Sequence, residues 1–243
     1  MTAHASSGPR IAVLGAGHTG PVIARVATEA GYPVSIAASG DPELIELITT
    51  VMAPGAEPRR AVDAVGDADI VVLAIPLHRF ASLDPAQLAG KVVVDTMNYW
   101  PPTDGALAAF EDRRYGSSEI VARRLPGSRV VKTLNHIGYH ELDEDRRPRG
   151  DAERRALGVA GDDPGAVALV AEVIDRIGYD PVRLGHLRDG NLLEPGGPVF
   201  GISLRRDEFE STIATEAEFA GLAEAALSGV GPRPLTDIPK DTP

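Results

Sequence analysis

Ile11-Ala12-Val13-Leu14-Gly15-Ala16-Gly17-His18-Thr19-Gly20 constrains this chain more than any other stretch. Four apolar residues read as a buried strand, and three glycines follow at the spacing of a turn that binds a dinucleotide. Each glycine has its own task. Gly15 permits the tight turn, Gly17 lets backbone approach a pyrophosphate, and Gly20 lets helix pack closely on strand. The helix-compatible Val22-Ile23-Ala24-Arg25-Val26-Ala27 continues the pattern. It would aim free N–H groups and the positive end of its dipole at the phosphates.

The rest of the chain has room for such a fold. It has 243 residues with 43% hydrophobic and 24% charged residues, ordinary for a globular protein. A net charge of −11 argues against a nucleic-acid partner. No apolar run approaches the roughly 20 residues that span a bilayer, so no membrane partner is expected. Zero cysteines exclude disulfides, thiolate metal sites and cysteine nucleophiles. Residues 1–9 read as a disordered lead-in without a signal-peptide pattern, and the expected location is cytoplasmic.

Short β-branched runs alternate with helical ones, which predicts βαβ units around a doubly wound, mainly parallel sheet, the Rossmann fold. Strands are expected over 10–15, 34–38, 69–75, 91–95, 129–133, 156–160 and 181–184. Helices are expected over 18–30, 41–50, 61–65, 117–124 and 164–177. No strand is placed between Thr50 and Ala61, and the charged stretch from Glu141 to Glu153 reads as an exposed loop. One domain over 10–204 is expected. A small C-terminal elaboration over 205–243 would add an amphipathic helix and a proline-rich tail.

The nucleotide is read at the end of the second strand, where an acidic residue ordinarily holds the ribose hydroxyls of NAD. Here Ala37, Ala38 and Ser39 carry no carboxylate, so a 2′-phosphate meets no repulsion, and the Ser39 hydroxyl and Gly40 N–H can donate to it. Asp41 is open to two readings, a ribose ligand or a cap for the next helix. Pro42 and Glu43 favour the cap. Arg59 and Arg60 fall near the next strand end, as solvated surface or as distant phosphate ligands. NADP is the preferred nucleotide.

Ligands in such folds lie beyond the carboxyl ends of the strands. Those ends bring Ala74, Ile75, Pro76 and His78, then Met97, Asn98 and Trp100, then Asn135 and His136. Asn98 and Asn135 can each supply donor and acceptor to a ribose or carboxamide, or merely cap turns. Ile75, Pro76, Met97 and Trp100 can wall flat rings. His78 is an acid–base candidate by position, though a surface histidine starting a helix is the favoured reading. His136 and His140 are four apart, but Gly138 intervenes and no third ligand is evident, so no metal site is expected. No catalytic residue is assigned, because no nucleophile arrangement is present.

In order, "IAVLGAGHTG", "SGDPE", "ADIVVLAIP", "GKVVVDTMN", "PGSRVVKTLNHIG" and "LLEPGG" resemble the coenzyme F420-dependent NADP oxidoreductases, over residues 10 to 200. The resemblance implies NADP(H) along the glycine loop and hydride exchange with a deazaflavin, coenzyme F420, or a flavin. Carried over by position, Thr19 and Ser39 look like nucleotide-binding residues of the family, and with Gly15, Gly17, His18, Gly20 and Gly40 they make up the expected nucleotide site. Ala74, Ile75, Pro76, Asn98 and Asn135 surround the reacting rings. It further implies a small-molecule redox partner and a homodimer. Two departures stand out: Gly40 replaces an arginine common in the family, and Met97-Asn98-Tyr99-Trp100 replaces the commoner "ATNP" type of segment. A reductase of small carbonyl or imine compounds and a non-catalytic NADP-binding sensor are the alternatives.

Overall fold

A computed structural model describes residues 8–111 and 115–216. The proline-rich tail and most of the expected lead-in lie outside the described residues. The strands are β1 (Ile11–Leu14), β2 (Val34–Ala37), β3 (Glu57–Pro58), β4 (Ile70–Leu73), β5 (Val92–Asp95), β6 (Arg129–Lys132), β7 (Ala156–Gly161) and β8 (Asp180–Arg183). They form one sheet in the order β3-β2-β1-β4-β5-β6-β7-β8. β1 to β6 are parallel, β7 runs antiparallel to β6, and β8 is parallel to β7. The expected doubly wound, mainly parallel sheet is therefore present.

Alternation along the strands builds two cores. Ile11, Val13, Ile36, Ile70, Val72, Val92 and Val94 face one layer, with Val22, Ile23 and Val26 of the helix Thr19–Glu29 and Val170 and Ile174 of the helix Pro164–Arg176. Ala12, Leu14, Val71, Leu73 and Val93 face the other, with Val65 of the helix Ala61–Asp67 and Val121 of the helix Ser117–Arg124. A strand covered on both faces needs apolar residues at every position, which is why these runs are uniformly apolar.

Two expectations are corrected. β3 is an additional strand that pairs Ser35 with Glu57 and Ile36 with Pro58. Two residues at a sheet edge, one of them proline, leave no hydrophobic signal to read. The stretch from Glu141 to Glu153 is not simply an exposed loop. It begins inside the helix Tyr139–Glu144, whose Leu142 is buried. Its acids are used in ion pairs: the buried Arg155 reaches Glu141 and Asp145 at 2.8 Å each, and Arg25 reaches Asp143 at 2.9 Å. Dense charge here marks a cross-linked segment, a pattern that composition alone does not separate from a solvated one.

After Leu204 a helical run over 206–216 packs onto the main domain. Phe209 is buried with Ala156, Val182, Leu193 and Val199 over β7 and β8.

Candidate active site

The site begins where neighbouring strands end level with one another. Leu14 is in register with Ala37 of β2 and Leu73 of β4, so the three chains leave the sheet together. Gly15 then donates its N–H to Ala37 O at 2.8 Å, and Ala74 donates to Leu14 O at 2.8 Å. This is the point where strand order reverses, β1 leading on to β2 on one side while β4 lies on the other. Such a reversal opens the crevice in which ligands of open α/β sheets bind.

The three glycines meet different surroundings. Gly15 has φ +125°, and a Cβ there would lie 2.1 Å from Ala74 O. A Cβ at Gly20 would lie 1.8 Å from Gly15 O. At Gly17 it would meet nothing within 4 Å. Gly15 and Gly20 are thus demanded by the protein's own backbone, whereas Gly17 only keeps open the space above the loop. The helix Thr19–Glu29 starts there with no side chain capping it and no acid in its first turn. Its free N–H groups face no competitor for an anion.

The loop lines a cavity of about 530 Å³. Gly15, Gly17, Ala38, Ser39, Ile75 and Pro76 line it among others. Asp41 is turned to structural use. Its Oδ1 accepts from Glu43 N at 3.2 Å, as the expected cap, and its Oδ2 pairs with Arg60 at 2.7 Å. Arg59 pairs with Asp67 at 2.7 Å. Both arginines are thereby committed to acids, and β3 explains their position beside the end of β2: Arg59 N donates to Ile36 O at 2.9 Å.

The ends of β5 and β6 carry the second group of candidates. Asn98 and Asn135 are brought together and bond to each other. Asn98 Nδ2 donates to Asn135 O at 2.7 Å, and Asn135 Nδ2 donates to Asn98 Oδ1 at 2.9 Å and Leu193 O at 2.6 Å. Both N–H bonds of the Asn135 amide are used. Asn98 keeps one N–H and part of its oxygen for another partner. Leu134, between β6 and this pair, has φ 63°, the single non-glycine residue with positive φ among those described. Strain of this kind persists only where surroundings over-determine it.

Beneath the pair lies a network that sequence reasoning missed. Register places Asp95 opposite Lys132, and both side chains are fully buried. Lys132 Nζ sits 3.5 Å from Asp95 Oδ2 and donates to Met97 O at 2.5 Å and Ser117 Oγ at 3.2 Å. Asp95 also accepts from Ser118 Oγ at 2.6 Å and Met97 N at 2.9 Å. The network holds the backbone just before Asn98. A lone charge closing each of two apolar strands was the signal available.

Two of the strand-end candidates are buried. Met97 is 4% exposed and packs in the second core layer, so it walls no ring. His136 is also buried. Its Nε2 accepts Gly158 N–H at 3.1 Å, and burial, helped by the nearby Arg155 and Lys132 charges, pushes its pKa down to about 3. A neutral, enclosed acceptor offers neither a proton nor a metal ligand. His78, by contrast, is exposed, with Nδ1 2.9 Å from Asp104 Oδ1. Burial pushes the Asp104 carboxyl up, but bonds from the Trp100 amide and from His78 outweigh it and leave the pKa below its ordinary value. Trp100 itself is 48% exposed at this rim.

Residues 10–99 match the family described as NADP oxidoreductase, coenzyme F420-dependent. Among solved structures, protein SMa0349 of Sinorhizobium meliloti is 28% identical with a TM-score of 0.70, covering 83% of this chain and 97% of that one. A "putative f420 dependent nadp-reductase" from Arthrobacter sp. FB24 is 25% identical with a TM-score of 0.64, covering 82% and 100%. The Escherichia coli (strain K12) protein YjhV is 34% identical over 59 residues, which span 24% of this chain and 43% of that protein. The matched residues 10–99 carry the glycine turn and strands β1 to β5, and the likeness to the Arthrobacter protein runs over most of the chain.

Proposed function

We propose that this protein exchanges hydride between NADP(H) and a deazaflavin such as coenzyme F420, or a flavin. The observation that carries the reading is that the family match covers the walls of the cavity itself, from the glycine turn through Ser39 to Pro76 and Leu88. The residues fit a dinucleotide. Gly17 leaves the loop surface open, the helix N-terminus is uncapped, and no carboxylate stands at Ala37, Ala38 or Ser39.

When bound, NADP(H) supplies or accepts the hydride. The chain's own part is to hold and orient. Gly15 to Gly20 present backbone donors to phosphate oxygens. Ile75 and Pro76 give an apolar wall, and Asn98, past the end of β5, keeps one N–H for a further partner. Trp100 adds an exposed aromatic face for a second flat ring. The test is to mix NADPH with the deazaflavin, and separately with flavins, and to follow acceptor absorbance. The expected result is acceptor reduction at a rate set by protein concentration. No turnover with either acceptor class would sink the assignment.

The pair formed by His78 and Asp104 favours a second reading, reduction of a small carbonyl or imine compound. Such a substrate needs a proton as well as a hydride, and Asp104 holds His78 with Nε2 free to give one. Loss of at least about 100-fold in kcat on His78→Ala, at unchanged NADPH affinity, would favour that reading.

A further inference from the structure

The cavity that the glycine turn lines is also lined by Arg79, Ser82 and Asp84. Arg79 lies in the short helical segment Leu77–Ser82 that follows β4. Its backbone is fixed: Arg79 N donates to Pro76 O at 2.9 Å, and its carbonyl accepts the Ser82 hydroxyl at 2.7 Å. Its guanidinium, in contrast, has no ion-pair or hydrogen-bond partner among the described residues. That is unusual in a chain where acids outnumber bases by 35 to 24. Asp84, the carboxylate that shares the cavity, is occupied as a cap, its Oδ1 accepting from Ala86 N at 2.9 Å.

Alternatives for a phosphate-binding cation are few here. The position after Ser39 is Gly40. Arg59 and Arg60 are held by Asp67 and Asp41. We propose that Arg79 reads the 2′-phosphate of NADP(H), facing Ser39 from the β4 side of the same cavity, with β1 between the two strands that carry them. The inference rests on the dinucleotide reading above. A planar guanidinium offers paired N–H donors that match a phosphate, and it stays charged at every physiological pH. The arginine absent beside β2 is thus supplied from the segment after β4.

The test is calorimetric titration of NADPH and of NADH into the full chain, as wild type, Arg79→Ala and Arg79→Lys. Arg79→Ala is expected to raise the NADPH Kd about tenfold and to change the NADH Kd by less than about twofold. Arg79→Lys should fall between, keeping the charge but losing the fork. An unpaired, exposed side chain contributes little to folding, so an unchanged thermal midpoint should accompany these shifts. Equal losses for NADPH and NADH would overturn the assignment, since they would indicate a contact with the shared adenosine. So would an unchanged NADPH affinity. A wild-type chain that binds neither dinucleotide overturns the dinucleotide reading and this inference with it. A chain that binds NADPH but reduces neither deazaflavin nor flavin contradicts only the acceptor, and the same titrations still decide Arg79.

Discussion

The two halves of the candidate site are built on opposite principles. Around the cavity at the ends of β1, β2 and β4 stand backbone amides, the Ser39 hydroxyl, an arginine with no partner among the described residues, and Asp84, which caps a helix. At the ends of β5 and β6 the polar groups are side chains, and they spend most of their bonding capacity on one another. The first half lines a cavity and keeps donors free. The second is a braced wall, whose spare capacity is one asparagine N–H and an exposed indole. A phosphate-bearing cofactor needs donors left free, whereas a hydride transfer needs a wall that does not move. The contrast therefore matches a division of labour between affinity and alignment.

The largest effect should come from breaking the brace. Lys132→Met leaves Asp95 charged and buried without its cation, and removing one partner of a buried pair costs about 3–5 kcal/mol. Denaturant unfolding should show that loss, and adding Asp95→Asn to the variant should recover part of it. A cost below about 1 kcal/mol would mean the network is not what holds this wall.

The two halves also differ in how far the sequence announces them. The glycine turn was legible because its spacing is local: Gly20 answers to Gly15 O, Gly15 to Ala74 O on the neighbouring strand's exit, and Gly17 to open space. The Asp41 cap was legible for the same reason, Pro42 and Glu43 being its neighbours in the chain. The pairing of Asn98 with Asn135 spans 37 residues. Both residues could be named as candidates, but nothing in the sequence says that they satisfy each other. Nothing local to His136 says that the N–H of Gly158, 22 residues later, occupies its ring nitrogen. β3 was missed because an exposed two-residue edge carries no period, and with it went the reason why Arg59 and Arg60 lie beside β2. Long-range pairing, not local propensity, separates what was read from what was not.

Within the open half, the glycines should separate by role. Gly20→Ala drives a Cβ into Gly15 O, and backbone cannot yield without moving the helix, so a stability loss of about 3 kcal/mol is expected. Gly17→Ala meets nothing and should leave stability within about 0.5 kcal/mol while weakening dinucleotide binding. Thermal unfolding beside NADPH titration tests both. Equal stability losses would remove the distinction between packing and ligand access.

The braced half carries a pH signature that the open half lacks. His136 has an ordinary pKa of 6.5, which burial lowers to about 3 in the folded chain. Between those values the unfolded chain binds a proton that the folded chain excludes, so stability falls as pH falls. The slope from this residue reaches about 1.4 kcal/mol per pH unit, or about 2 kcal/mol between pH 7 and pH 5. His136→Gln keeps an acceptor for Gly158 N–H without the titration. It should shrink the stability difference between pH 7 and pH 5 by about that amount in urea unfolding. An unchanged difference would show that His136 is solvated or protonated in the folded chain.

The smallest effect probes the open half at its far edge. Ser39→Asp restores the carboxylate that usually ends the second strand, facing the ribose without any change to the core, since Ser39 is exposed. A 2′-phosphate would meet repulsion there, while ribose hydroxyls would gain an acceptor. NADPH affinity should fall relative to NADH by about tenfold, or about 1.4 kcal/mol, as measured by parallel titration. The same substitution on an Arg79→Ala background sharpens the point. If both residues meet one phosphate from two sides, their effects should not add, because a phosphate already displaced by one loss has less contact left for the other. Full additivity would place Ser39 and Arg79 on separate parts of the nucleotide.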